Sequence, residues 1–147
     1  MANQISNTFK AMALKGQIAA LSDTFKVILM KSGFVFVNSS HHAYADVSAS
    51  ELPTANGYTA GGITLTDVFV TVDETSGKAR LQWSNAQVNA SGGSLIVDGA
   101  IIIDDSTNTG GGDDYTDAIV AYIDPPALVT ATDGTPVIVQ NLYIDLN

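Results

Sequence analysis

The 147 residues are enough for one domain, and an apolar share of 46% gathered in strong runs excludes a disordered chain. Only 14% of the residues are charged, against about 25% in ordinary soluble domains; Ser, Thr, Asn, Gly and Ala fill the gap, a mix suited to short strands, turns and a surface that touches other protein. Fifteen acids against six bases leave a net charge of −9, which repels phosphate and argues against a nucleic-acid partner, while zero cysteines exclude disulfides, thiolate zinc sites, iron–sulfur clusters and thiol nucleophiles.

The charge is unevenly placed along the chain. Residues 1–31 carry Lys10, Lys15, Lys26 and Lys31 against the single acid Asp23, a net of +3, whereas residues 32–147 carry fourteen acids against Lys78 and Arg80, a net of −12. Such a dipolar layout favours contact between subunits; the alternative is a solvated, lysine-bearing helix face. Residues 7–21 have helical spacing, with Phe9, Met12, Ala13, Gly16 and Ala20 on one stripe and Leu14, Ile18 and Leu21 beside it. Ser6 or Asn7 can cap its start, and Ser22-Asp23 ends it. So wide an apolar face requires burial, against its own domain or a neighbour. Lys10 and Lys15 interrupt the hydrophobic centre that a signal peptide would need. No apolar stretch approaches the roughly 20 residues that span a bilayer, so a soluble protein made in the cytoplasm, with no membrane partner, is expected.

Thr24 to Met30 is rich in β-formers and reads as a buried strand, and Gly33 to Val37 as a second strand or an apolar loop. Residues 41–52 carry a helix-like spacing in Tyr44, Val47 and Leu52, stopped by Pro53. From residue 63 the apolar period becomes two, which predicts strands over 63–72, 78–88, 95–103 and 116–123, then 127–130 and 136–146. Asp73 to Gly77, Ser91-Gly92-Gly93 and Asp133-Gly134 are the turns between them. The expectation is a mainly β (α+β) fold, an antiparallel sandwich or barrel-like domain over 23–147, preceded by a helical segment over 1–22 and carrying a second short helix.

No constellation carries obvious chemistry. His41 and His42 are adjacent and point different ways on a helix or a strand, so one metal would rarely meet both rings. In the acidic loop 104–114, Asp104, Ser106 and Asn108 alternate as in a calcium loop, but Gly110 falls one place late and Tyr115 stands where a bidentate Glu belongs. A charged hairpin tip and a cation loop both remain open there, and no metal or cofactor is expected. Ser94 lacks the downstream glycine of a nucleophile elbow, no glycine-rich phosphate cradle exists, and the paired aspartates lie in a glycine-rich loop and not in a rigid pocket. A non-enzymatic protein is expected.

The run Ser22-Asp23-Thr24-Phe25-Lys26-Val27-Ile28-Leu29, with Glu51-Leu52 and then Asn56-Gly57-Tyr58-Thr59-Ala60-Gly61-Gly62, resembles a family of small tailed-bacteriophage virion structural proteins. In that family a short helix precedes a similar strand and a signature like E-L-x-x-x-N-G-Y-T-A-G-G follows. Arg80-Leu81-Gln82-Trp83, the strand Leu95 to Ile103, and Ala118 to Asp124 are similar to its later strands. The likeness covers most of residues 9–124 and departs at Pro125-Pro126, where relatives carry an aromatic-Gly pair. It implies a virion context. The function expected on it is a capsid decoration (cement) protein bound to the outer face of the major capsid protein and to copies of itself as a homo-oligomer. Phe9, Lys10, Met12 and Lys15 are the interface candidates. Alternatives are a neck or tail component (adaptor, terminator or fibre-anchoring subunit) and a carbohydrate-binding β-sandwich, for which Trp83 beside Tyr58 is the only seed of an aromatic platform.

Overall fold

Side chains that alternate along Phe25 to Met30 are apolar on both faces, so this strand must lie in the middle of the protein with cover above and below. The computed structural model, which describes residues 2–106 and 115–147, shows that arrangement. Its elements are β1 (Ala2–Ile5), α1 (Asn7–Leu14), β2 (Phe25–Met30), α2 (Tyr44–Val47), β3 (Ile63–Thr64), β4 (Phe69–Asp73), β5 (Lys78–Gln82), β6 (Ala86–Asn89), β7 (Leu95–Val97), β8 (Gly99–Asp104), β9 (Ala118–Asp124), β10 (Val129–Ala131), β11 (Pro136–Val139) and β12 (Tyr143–Leu146). The fold is mainly β, its sheets antiparallel, with two short α-helices.

A five-stranded sheet in the order β1-β9-β8-β2-β3 forms the centre. Val27 pairs with Ile102 and Ile102 with Ala121, and these point to one face with Leu29, Ala100 and Ile123. Ile28, Ile101 and Tyr122 point to the other, with Ile103 and Ile119. A bulge between Ile102 and Ile103 lets Val120 join Ala121 on the first face while Ile119 and Tyr122 stay on the second. The first face is covered by the three-stranded sheet β12-β5-β4 and the pairs β11-β6 and β10-β7, which contribute Leu81, Trp83, Leu95, Val137 and Ile144. Trp83 meets Phe25 edge-on at 5.1 Å. The second face is covered by the segment leading into α2, through Phe34, Phe36, Tyr44 and Val47.

The first 22 residues do more than carry a helix. β1, which the sequence reading places nowhere, pairs Ala2 with Asp124 and Ile5 with Ala121 at the edge of the main sheet. Its alternation spans only four residues, too few for the period-two signal. α1 is capped by the Ser6 hydroxyl, which accepts from the Thr8 N–H at 3.1 Å. It stops at Leu14, not at Leu21 as the spacing predicts, because Gly16 turns left-handed (φ 71°). There the Gly16 N–H returns to Ala13 O and the Gln17 N–H to Met12 O, which closes the helix in a Schellman turn.

Four expected long strands are each two short ones in different sheets. Residues 63–72 divide into β3, paired with β2, and β4, paired with β5. Asp67 takes a left-handed backbone (φ 53°) at the break, and its carboxylate accepts from the Ser84 hydroxyl at 2.7 Å. Ser84 lies in the matching break between β5 and β6. Residues 95–103 divide at Asp98 into β7, paired with β10, and β8. Residues 136–146 divide at the left-handed Asn141 (φ 55°) into β11 and β12. Gly33 to Val37 forms a loop with Phe36 buried and Val35 exposed. Residues 44–50 form α2 and one 3-10 turn.

Candidate assembly surface

The four interface candidates divide by direction. Phe9 and Met12 are 2% and 1% exposed, and Phe9 belongs to the core on the first face of the sheet. They hold α1 to its own domain, and as outward contacts they are corrected: amphipathic spacing shows that a face is buried but not by what. Lys10 and Lys15 are exposed. Lys15 borders a small groove with Thr8, His42 and Tyr115. Leu14 stands beside them at 91% exposure, outside the buried stripe that the spacing predicts. The outward part of α1 is therefore Lys10, Leu14 and Lys15. Because β1 is an edge strand and Phe9 is in the core, point substitutions probe this corner without removing part of the fold.

The stretch from Glu51 to Gly62 has a structural account. Glu51 is buried and its carboxylate accepts from three donors: the Tyr58 hydroxyl at 2.6 Å, the Tyr44 hydroxyl at 2.6 Å and the Gly61 N–H at 2.8 Å. The Tyr58 hydroxyl accepts in turn from the Leu29 N–H at 3.1 Å, which ties the network to the central sheet. Burial and then the bond to Glu51 push the Tyr58 pKa well up. The bond to Glu51 and then burial push Tyr44 up to about 12. Both phenols therefore keep their protons at neutral pH and act as donors. Gly57 and Gly62 serve close approach: a Cβ at Gly57 would lie 2.2 Å from Asn89 O, and one at Gly62 would lie 2.7 Å from Val27 O. The motif thus packs a loop onto β2 and β6. Sequence reasoning missed this network, although Glu51, Tyr58 and the glycines share one short signature.

The other candidates also take places in the frame. The Val37 N–H donates to His41 Nδ1 at 3.1 Å, and the His41 ring stacks on Phe34. His42 Nδ1 lies 2.9 Å from the Thr8 hydroxyl, and its ring stacks on Tyr115. The two imidazoles have different partners. Among the described residues no group of three His, Cys, Asp or Glu is placed to hold a metal. Of the loop 104–114, residues 107–114 lie outside the described residues. At its start Asp105 pairs with Lys26 at 2.7 Å, and the Ser106 hydroxyl accepts from the Thr24 N–H. Trp83 and Tyr58 are both buried, so the expected seed of a sugar platform is corrected to core packing. No helix among the described residues is long and apolar enough to cross a membrane.

What the surface does offer is exposed apolar area on a lightly charged protein. All five residues of β4 are exposed, including Phe69, Val70 and Val72, and β4 is the edge strand of its sheet. Leu21, Val35, Ile96 and Leu128 add further exposed positions. On the outer side of the β4–β5–β12 sheet, Arg80 forks onto Asp145 at 2.7 and 2.9 Å and lies 3.9 Å over the Tyr143 ring. That bond holds the Asp145 carboxyl below the usual range. Comparison with protein-family models, with curated proteins and with solved structures finds no match for this chain.

Proposed function

We propose that this chain is a non-enzymatic structural protein of a bacteriophage virion, a decoration protein that binds the outer face of the major capsid shell. The observation that carries the reading is the edge strand β4, which among the described residues pairs only with β5 and is exposed along its whole length, Phe69, Val70 and Val72 included. Proteins that stay apart blunt such an edge with Lys, Pro or a covering loop, and β4 itself contains neither Lys nor Pro. The resemblance of the strand Phe25 to Leu29 and the Asn56 to Gly62 signature to virion proteins supplies the context. A repeating shell multiplies weak contacts into firm attachment, so modest apolar patches suffice. The basic α1 corner faces the shell or an adjacent copy.

Quantitative mass spectrometry of purified particles tests the reading. A decoration protein stands in a small integer ratio to the major capsid protein. About a dozen copies or fewer per particle would assign the chain to the neck or tail instead, and its absence from particles would overturn the virion reading.

A further inference from the structure

Three strands place Val72, Ala79 and Leu146 in one row, Val72 opposite Ala79 and Ala79 opposite Leu146. Strand alternation sets this row on the same side as Leu81 and Ile144, which reach the core. β4 overhangs that core, so Val70 and Val72 stay 49% and 64% exposed. At the other end of the row Leu146 borders a groove of about 630 Å³ whose far wall is Ile5, Lys10, Ala13 and Leu14. Leu14 and Leu146 thus line one groove, and the half-buried Leu146 and Ala79 lead on to the exposed Val72, an apolar ledge that the groove interrupts.

Its two ends differ in charge. The α1 end carries Lys10, exposed, with Asp145 across the groove already held by Arg80. The β4–β5 hairpin end carries the exposed Glu74; Asp73 lies with Lys78 on the strand face opposite the ledge, and its carboxylate accepts from Thr75 and Ser76. The two ends are about 20 Å apart, counting about 4.8 Å for each of two strand steps and about 10 Å for the helix layer. A patch of that span covers about 300 Å², well below the about 800 Å² per partner of a standard interface, so the contact is a weak one. A partner of one sign would match only one end. A second copy, turned by a two-fold axis, matches both: apolar row on apolar row, basic end on acidic end, twice.

We infer that two copies of this chain associate through this ledge about a two-fold axis, with Lys10 of each set against Glu74 of the other. The inference rests on the assembly reading above and names the contact between copies, yet it is tested without particles. Sedimentation of the full chain across micromolar to hundred-micromolar concentrations shows a dimer. Lys10→Glu and Glu74→Lys each weaken it about tenfold, because each reversal acts at both symmetric ends, and the double variant Lys10→Glu/Glu74→Lys recovers it. Leu14→Asn, at a position too exposed to disturb the fold, also weakens it, and circular dichroism melts confirm that every variant folds. A monomer throughout, or an association that ignores these changes, or a double variant that fails to recover, overturns the contact. A dimer with the expected swap behaviour in a chain missing from particles would retain the contact and refute the virion reading; the reverse result would do the opposite.

Discussion

Glu51 shows how one buried carboxylate can organise a loop. Three donors converge on it, and two of them are phenols whose rings are themselves packed. Glu51→Ala leaves those donors without an acceptor in an interior that offers little water, at a cost of about 3 kcal/mol. Thermal melts should show a fall of roughly 10 °C, while Glu74→Ala at the exposed hairpin stays within about 2 °C; equal melts for the two would refute the role. These two phenols and that of Tyr122 set an alkaline limit. Tyr44 and Tyr122 are pushed up to about 12, the first by its bond to Glu51 and the second by burial, and Tyr58 is raised by burial further still. A tyrosine whose folded pKa exceeds its unfolded value stabilises fully below the unfolded value, near 10, and loses that contribution as pH climbs through the folded one. Stability against urea should therefore fall between pH 10 and about 12, and Tyr44→Phe should flatten part of that slope. An unchanged slope would remove Tyr44 from the account.

At the scale of elements, the positions where chain meets chain decide what can be substituted. Gly62→Ala drives a methyl group into Val27 O, backbone against backbone, at a φ of 90°. Gly16→Ala meets a strained φ of 71° but open space. The first should cost several kcal/mol and disrupt β2–β3 pairing, and the second about 1 kcal/mol; denaturant midpoints of the two variants order them, and a reversed order would discard the close-approach argument. These elements also show what the sequence could and could not tell. The strands β2, β8 and β9 were legible, because Val, Ile and Phe runs covered on both faces leave a continuous apolar signal. The divisions at Asp67, Asp98 and Asn141 were not. The apolar positions shift phase across Asp67, from 63 and 65 to 68, 70 and 72, and across Asn141, from 137 and 139 to 142 and 144, but that the halves take different partner strands is a non-local fact. For the candidate surface, charge made Lys10 and Lys15 legible. Which of Phe9, Met12 and Leu14 faced out was hidden, since a short helix with apolar residues on several sides has more than one way to dock. The overhang of β4 was illegible for the same reason as the breaks.

Across the whole molecule, stability is graded from the centre outward. β8 is buried along its full length and β9 along all but its last residue, whereas β4 is exposed along its full length. Hydrogen exchange should follow that gradient, with the amides of β2, β8 and β9 opening only with global unfolding and those of β4 exchanging orders of magnitude faster in the monomer. Protection of β4 equal to that of β8 in dilute solution would contradict it. One feature of the main sheet bears on how the molecule comes to exist. Ala2 to Ile5 form their ladder with Ala121 to Asp124, so during synthesis β1 leaves the ribosome about 120 residues ahead of the strand it needs. Until that strand emerges, the helix that follows Ile5 cannot settle and Phe9 has no core to enter. β9 must therefore be made before the sheet can close, and slowing elongation over the residues between β8 and β9 should lengthen the interval in which a chaperone or a protease finds the nascent chain open.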